Sequence, residues 1–349
     1  MSRRLFCKSA ACALLVAAAL PTQAQAQAEK KPNVLFIMAD DVGWMQLGAY
    51  HQGLMSSETP NPARMHVVTQ LSPKYESMLG VKGGKDWGVQ EAGMKQLDDN
   101  VGVVLQKLEQ LGVLDNTLIV FTTDNGAEVI TWPDGGSTPF RGQKGGAWEG
   151  GYRVPMIARW PGHIKPGQVS AEFMVALDWV PTLVNIAGGP KGDQLKSTIE
   201  AGKYPGFTKT TLDGYDQRDM LEGKSRSARE TFFYYSGATL SAVRWKNWKF
   251  LYQMPASGAT AWIEPLVKYN FTLIENLKRD PFEAATNNEK SALYYGDFFQ
   301  YDWNLLPIGQ KLALQHLMTF KQYPPMQNPA SYNLDAVMEQ IRNQPAKGE

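Results

Sequence analysis

Two uninterrupted apolar runs stand out along the chain, and both predict strands. The first covers residues 34–38 and the second covers residues 118–121. Runs of this length, bounded by turn-forming residues, are typical of parallel strands that an α/β sheet covers on both faces. We therefore expect both segments to be buried strands of such a sheet.

Between the two runs the pattern changes to that of a helix. Apolar residues recur at spacings of mostly three and four over residues 89–111, and Gly112 follows as a stop signal. Residues 154–160 then predict a third strand, and residues 178–187 predict a short helix. This alternation of strands and helices predicts a doubly wound α/β sheet.

The C-terminal half has a different pattern. Residues 188–215 are rich in Gly, Lys and Thr and predict a connection, whereas residues 243–252 alternate large apolar and polar side chains, as a half-exposed antiparallel strand does. The last forty residues predict only short helical stretches. We expect an α/β domain over residues 31–190, followed by a smaller α+β subdomain and tail over residues 191–349.

The first 28 residues have the composition of an export signal. Arg3, Arg4 and Lys8 precede an apolar run, and small residues near position 28 offer cleavage sites. The run is too short to span a membrane as a helix. The paired arginines fit twin-arginine export, and a Sec signal shares the other features. Both readings predict a periplasmic or secreted protein with no stable membrane anchor after signal removal.

Charge and cysteine content exclude several classes of protein. The formal net charge is +1, and removing residues 1–28 leaves 32 basic against 34 acidic side chains. Neither balance provides the basic stripe that nucleic-acid binding requires, so no nucleic-acid partner is expected. Cys7 and Cys12 both lie in the export segment. The chain after residue 28 therefore contains no disulfide, thiolate metal site or cysteine nucleophile.

Oxygen ligands follow the first two predicted strands. Asp40 and Asp41 end the first strand, and Asp124 and Asn125 end the second. Sheets of this class place ligands at the carboxyl ends of their strands, and adjacent buried carboxylates need a cation or positive groups nearby. Each pair alone is also an ordinary turn sequence. Together they form a hard oxygen set that predicts Ca²⁺ or Mg²⁺ rather than Zn²⁺.

A glycine-rich stretch over residues 139–155 contains Arg141, Lys144 and Trp148. Backbone N–H groups and a cationic side chain in such a loop can approach an anion closely. The alternative is a solvent-exposed loop with ordinary charges. Trp148 and the strand that follows directly make a purely solvated loop the weaker interpretation.

These segments resemble the sulfatase family. The matching blocks are PNVLFIMADDVGW at 32–44, FTTDNGAE at 121–128 and PFRGQKGGAWEGGYRVPMIARWPG at 139–162, and residues 244–249 and 277–283 resemble the family's small domain. The resemblance implies an alkaline-phosphatase-like sheet and the hydrolysis of a sulfated small molecule or carbohydrate. It also implies that Asp40, Asp41, Asp124 and Asn125 bind the metal ion, and that Lys144 holds the substrate sulfate.

One family motif is missing from its expected interval. The family's nucleophile is a formylglycine made from Cys or Ser in a C/S-x-P/A-x-R motif, and no such motif lies between Asp41 and Asp124. The family blocks on either side of residues 61–62 are joined directly, so we expect an internal deletion there. His66, just beyond, resembles the family's sulfate-contacting histidine; the alternative is a loop histidine.

Other candidate residues have weaker context. His51, His163 and His316 are expected to be structural or surface residues, and the motif-like residues 225–229 are interpreted as coincidental. Three functions stay open at this point. The first is an arylsulfatase-like sulfuric ester hydrolase, and the second is a non-catalytic metal-binding and anion-binding remnant of one. The third is a phosphohydrolase of the same superfamily that uses Thr59.

Overall fold

A computed structural model describes residues 31–47, 50, 70–81, 86–128, 138–203, 210–237, 239–254, 264–286, 294–296 and 298–324. The predicted export segment, the expected break near residues 61–62, and His51, Thr59 and His66 lie outside these residues. Within the described part, none of the helices combines the length and the apolar character needed to cross a bilayer.

The first sheet contains three strands in the order β1 (Asn33–Ala39), β2 (Thr117–Thr123) and β3 (Met156–Arg159). β1 and β2 are parallel and pair Ala39 with Thr123, whereas β3 is antiparallel to β2. Because the parallel strands are in register at their ends, the acidic residues that follow them emerge at the same edge of the sheet.

The helices described in the structure are, in chain order, α1 (Pro73–Glu76), α2 (Val89–Gln110), α3 (Glu149–Tyr152), α4 (Trp179–Ile186), α5 (Gly192–Glu200), α6 (Arg218–Leu221) and α7 (Leu306–Gln322). Helix α2 packs Met94 against Phe121 on one face of the first sheet. Trp179 of α4 and Met220 of α6 pack with Leu118 on the other face. Helices on both faces give the sheet the predicted α/β class, in an incomplete form.

The strand predictions were only partly right. β2 is buried along its whole length, as expected. β1 is not, because it lies at the sheet edge: Val34 is 42% exposed and Met38 is 62% exposed. The prediction that β1 is buried on both faces was therefore wrong. The predicted helix is confirmed: α2 ends at Gln110, and Gly112 follows at φ +65°.

A second sheet is antiparallel, in the order β4 (Thr231–Ser236), β5 (Thr239–Trp245), β6 (Trp248–Met254) and β7 (Val267–Asn276). Its core contains Tyr234, Phe250, Leu251 and Ile274, and Ile308 of α7 packs against it. The sheet and α7 form a smaller α+β subdomain.

Three sequence predictions fail in this half. Residues 243–252 are not one strand: they are parts of β5 and β6, joined by a turn in which Lys246 has φ +55°. Residues 188–215, expected to be only a connection, include α5. The last forty residues, expected to hold only short helical stretches, include residues 310–322 of the longer helix α7. Helix α5 contacts α4, and α7 packs on the second sheet. In both cases tertiary packing stabilises a helix whose local sequence signal is weak.

Candidate metal and anion site

Three carboxylates meet at the ends of β1 and β2. Asp40, Asp41 and Asp124 each place a carboxylate oxygen within 4.8 Å of the others. The backbone turns sharply at Asp41, which has φ +57°, and its N–H donates to Asp124 Oδ1 at 3.1 Å. The left-handed conformation of Asp41 lets two consecutive carboxylates approach a third one on the neighbouring strand.

Asn125 lies beside the three carboxylates. Its side-chain nitrogen donates to Asp41 Oδ1 at 2.6 Å and to the carbonyl of Gly126 at 2.9 Å. Its backbone N–H donates to Asp124 Oδ1 at 2.9 Å. Because the amide nitrogen is occupied by these acceptors, the carbonyl oxygen is the atom that Asn125 offers to a ligand.

Lys144 reaches the same cluster from the glycine-rich block. Its Nζ is 2.8 Å from Asp41 Oδ1 and 2.9 Å from Asp41 Oδ2. Burial lowers the pKa of Lys144, but the hydrogen bond and charge of Asp41 outweigh it, and the pKa is raised. Three carboxylates and one ammonium carry a net charge of −2. This charge and the hard oxygen donors fit a divalent cation such as Ca²⁺ or Mg²⁺.

The glycines of the block allow its backbone to lie directly against the end of β2. The N–H of Gly126 donates to the carbonyl of Gly151 at 2.9 Å. A Cβ atom on Gly126 would lie 1.8 Å from the carbonyl oxygen of Gly150, and one on Gly150 would lie 2.3 Å from that of Gly142. Only glycine fits such approaches. This packing holds residues 142–151 beside the acidic cluster.

A buried ionic cluster fastens α3 to the second sheet. Glu149 Oε1 accepts from Lys249 Nζ at 3.1 Å and from the Tyr234 hydroxyl at 2.8 Å. Lys249 Nζ also donates to Glu283 Oε1 at 2.7 Å, and Glu283 Oε2 accepts from the Glu149 N–H at 2.6 Å. Burial raises the pKa of Glu149, but Lys249 and two arginines outweigh it and lower this pKa to about 2.

Sequence reasoning singled out none of these buried charges. Lys249 lies in an alternating strand, where a lysine is ordinarily expected to face solvent, yet its side chain is fully buried. The one signal in the sequence was that Glu149 and Glu283 lie in blocks that resemble the family. Such a resemblance does not show that these two carboxylates contact Lys249.

The two described histidines have structural surroundings, as expected. His163 stacks on Trp160 at 3.6 Å, and its Nδ1 is 3.1 Å from Glu222 Oε1. His316 stacks on Phe233 at 3.7 Å, and burial lowers its pKa. Neither residue belongs to the acidic cluster.

Two serine-containing segments resemble the motif that carries the family's nucleophile. In residues 225–229, Arg229 is held in a buried ion pair with Asp178 at 2.6 Å, which supports a structural role. The sequence prediction overlooked Ser137-Thr138-Pro139-Phe140-Arg141, which fits S-x-P/A-x-R, because its search ended at Asp124. Ser137 lies outside the described residues, and the Arg141 guanidinium lies over the Trp148 ring at 3.7 Å.

Comparison with known proteins gives consistent matches. The sulfatase profile matches residues 86–189, and the profile for the C-terminal region of aryl-sulfatase matches residues 227–342. Mouse steryl-sulfatase is 37% identical over 188 residues, which are 50% of this chain and 28% of that protein. Human arylsulfatase A is 38% identical over 143 residues, 41% of this chain and 25% of that protein. The chain thus spans about a quarter of the length of these curated relatives.

A solved structure extends the similarity to the fold. The PsFucS1 sulfatase from Pseudoalteromonas sp. superposes with a TM-score of 0.61 at 29% identity. The match covers 76% of this chain and 48% of that protein. About three quarters of this chain therefore share their fold with about half of that sulfatase.

Proposed function

The chain belongs to the sulfatase family, and we propose that it carries the metal-dependent site of an arylsulfatase-like sulfuric ester hydrolase. One observation supports this proposal above the others: Asp40, Asp41 and Asp124 converge within 4.8 Å, and Lys144 lies against Asp41. The spacing brings together the acidic and cationic groups that a divalent cation and a sulfate group require.

In this proposal Asp40, Asp41, Asp124 and Asn125 hold Ca²⁺ or Mg²⁺, and the bound cation supplies Lewis-acid stabilisation of charge on the sulfuryl oxygens. Lys144 contributes an ammonium, on a flexible side chain, that contacts a sulfate oxygen. Its backbone N–H donates to Ala127 O at 3.0 Å, which holds the base of the side chain beside the cluster. His66 is proposed as a further sulfate contact.

Sulfate ester cleavage also needs a nucleophile. We propose that a deletion near residues 61–62 removed the family's usual motif, which an uninterrupted genomic sequence across this junction would support. Ser137 is the remaining serine in a fitting motif. Mass spectrometry of the peptide containing Ser137 tests it: loss of two hydrogens identifies formylglycine, and an unmodified serine removes this candidate.

A non-catalytic metal and anion binder is the second candidate function. It is favoured by the short match, because this chain covers only about a quarter of the length of these relatives. It is also favoured by the outer side of β1, which pairs with none of the strands in the described residues. A phosphohydrolase that uses Thr59 is the third candidate.

One assay separates the three candidates. The purified chain is incubated with chromogenic aryl sulfate and aryl phosphate, with Ca²⁺ or with EDTA. Turnover of the sulfate ester alone, lost in EDTA and in Lys144→Ala but kept in the exposed control Lys165→Ala, supports the hydrolase. Ca²⁺-dependent thermal stabilisation without turnover supports the binder. Phosphate turnover lost in Thr59→Ala supports the phosphohydrolase.

The proposal extends to the substrate, by resemblance to the family, and to the location, by the export-signal composition of residues 1–28. The substrate class is a sulfated aryl alcohol or carbohydrate, and the location is the periplasm or exterior after removal of residues 1–28. N-terminal sequencing of the protein recovered from a periplasmic fraction tests the location: a new N-terminus near Glu29 is expected, and recovery of the intact N-terminus from cytoplasm contradicts it.

A further inference from the structure

The hydroxyl group of Thr123, the last residue of β2, lies between the two acidic strand ends. Its Oγ1 accepts a hydrogen bond from the N–H of Val42 at 3.2 Å. It is also 3.1 Å from the carbonyl oxygen of Ala39 and 3.1 Å from Asp124 Oδ1, so its single proton is donated to one of the two. Thr123 is 4% exposed. One buried side chain thus connects the Asp40-Asp41 turn to Asp124.

The hydrogen bonds to Asp124 favour one orientation of its carboxylate. Within the described residues, the hydrogen bonds to the side chain all involve Oδ1, which accepts from the N–H groups of Asp41 and Asn125 and lies beside Thr123 Oγ1. A carboxylate with one oxygen saturated in this way presents its second oxygen to a cation. The Val42 N–H, in a fully buried residue, depends on the same hydroxyl.

We propose that Thr123 is a positioning residue for the cation site: its hydroxyl sets the orientation of Asp124 and the turn after β1, and thereby the affinity for the cation. The proposal rests on the cation site proposed above. Outer groups that orient metal ligands typically change metal affinity about tenfold to a hundredfold when they are removed. Thr123 acts through Asp124 and the turn after β1, without touching the ion or the substrate.

The test measures Ca²⁺ binding by isothermal titration calorimetry in the full chain. Thr123→Val keeps the shape and removes the hydroxyl, and we expect its Ca²⁺ affinity to fall at least about tenfold. Thr123→Ser restores a hydroxyl, and we expect its affinity to stay within about threefold of wild type. Circular dichroism in EDTA checks that each variant is folded. If Thr123→Val does not fold, Thr123→Cys, with its weaker hydrogen bonds, replaces it.

Thr122→Val is the matched control. Thr122 is the preceding residue of β2, is 9% exposed, and donates to the carbonyl of Pro155 at 3.0 Å. Its variant loses a buried hydrogen bond of similar strength but should bind Ca²⁺ like wild type. The positioning role is overturned if Thr123→Val binds Ca²⁺ as tightly as wild type does. It is also overturned if Thr123→Val and Thr122→Val lose Ca²⁺ affinity to the same extent. Wild type that does not bind Ca²⁺ overturns the cation site itself.

Discussion

Lys249 carries its charge in the core of the second sheet, where its side chain is fully buried. Its ammonium is compensated by Glu149 at 3.1 Å and by Glu283 at 2.7 Å. Removing one member of such a cluster leaves the others charged and desolvated, which costs far more than the intact cluster contributes. A substitution of Lys249 should therefore be strongly destabilising.

We predict that Lys249→Met lowers the free energy of unfolding by about 3–5 kcal/mol, because two buried carboxylates lose their partner. Lys246→Met, in the turn of the same hairpin, should change it by less than about 1 kcal/mol, since the ion pair of Lys246 with Glu230 is exposed. Urea unfolding followed by fluorescence measures both. If both variants lose a similar, small amount of unfolding free energy, the carboxylates of Glu149 and Glu283 are neutralised by something other than Lys249.

Glu275 provides a prediction about pH. Burial raises its pKa from 4.5 to about 8, and the charge of Glu283 adds to this shift, while the Thr286 hydroxyl and Lys249 lower it. Its Oε2 is buried without a hydrogen-bond partner among the described residues. Because the pKa of Glu275 is raised in the folded state, its contribution to the free energy of unfolding is fully present below pH 4.5, where Glu275 is protonated in both the folded and the unfolded chain. It is lost as pH rises towards 8, because the unfolded chain ionises first.

We predict that Glu275→Gln removes this loss. The variant should gain at least about 1 kcal/mol of unfolding free energy relative to wild type between pH 5 and pH 8, since each pKa unit corresponds to about 1.4 kcal/mol. Urea titrations at the two pH values measure it, with the exposed Glu264→Gln as a control that should show no such change. A difference that does not depend on pH would show that Glu275 ionises normally in the folded protein.

The sequence allowed the ligand-type residues at the strand ends to be predicted, and it did not allow their buried partners to be predicted. Asp40, Asp41, Asp124 and Asn125 were found because each pair directly follows an apolar run, and parallel strands place their ends together. Thr123 and Glu275 have no such local signal. Their roles depend on a cross-strand hydroxyl contact and on a neighbouring carboxylate, which only the folded arrangement brings close.

At the scale of whole elements, the sequence pattern predicted an element correctly only where the structure depends on residues close to one another in the chain. The spacing of apolar residues in α2 records the face that the helix buries, so its bounds were predicted well. An apolar run such as β1 carries no information about how many strands pair with it. The hairpin between β5 and β6 was missed because its turn residues, Lys246 and Asn247, are not the glycine-containing pair typical of such turns.

The edge position of β1 leads to a direct prediction. Met38→Gln should lower the free energy of unfolding by less than about 0.5 kcal/mol, because Met38 is 62% exposed. Leu118→Ala, in the fully buried start of β2, should cost about 2–5 kcal/mol through the cavity that it leaves. Thermal unfolding of both variants measures the contrast. A large loss for Met38→Gln would mean that another chain covers this strand in solution.

At the scale of the whole molecule, the glycine-rich block connects the two sheets. Ala147 and Trp148 belong to the hydrophobic core of the second sheet, while Lys144, a few residues earlier, contacts Asp41 at the end of β1. The Arg141 guanidinium lies over the Trp148 ring at 3.7 Å and donates to the carbonyl of Glu283 at 3.0 Å. The position of the proposed sulfate-binding lysine thus depends on the packing of the smaller subdomain.

This connection predicts how the chain unfolds. In wild type, the two sheets should unfold together, so tryptophan fluorescence and far-ultraviolet circular dichroism should give coincident urea transitions. Trp148→Ala should destabilise the second sheet by about 3–5 kcal/mol and separate the two transitions, because the residue is 7% exposed in the shared core. Trp303→Ala, at a site 57% exposed, should keep them coincident. Coincident transitions in Trp148→Ala would show that other contacts couple the two sheets. The ionic cluster of Glu149, Lys249 and Glu283 would then be the next connection to disrupt by substitution.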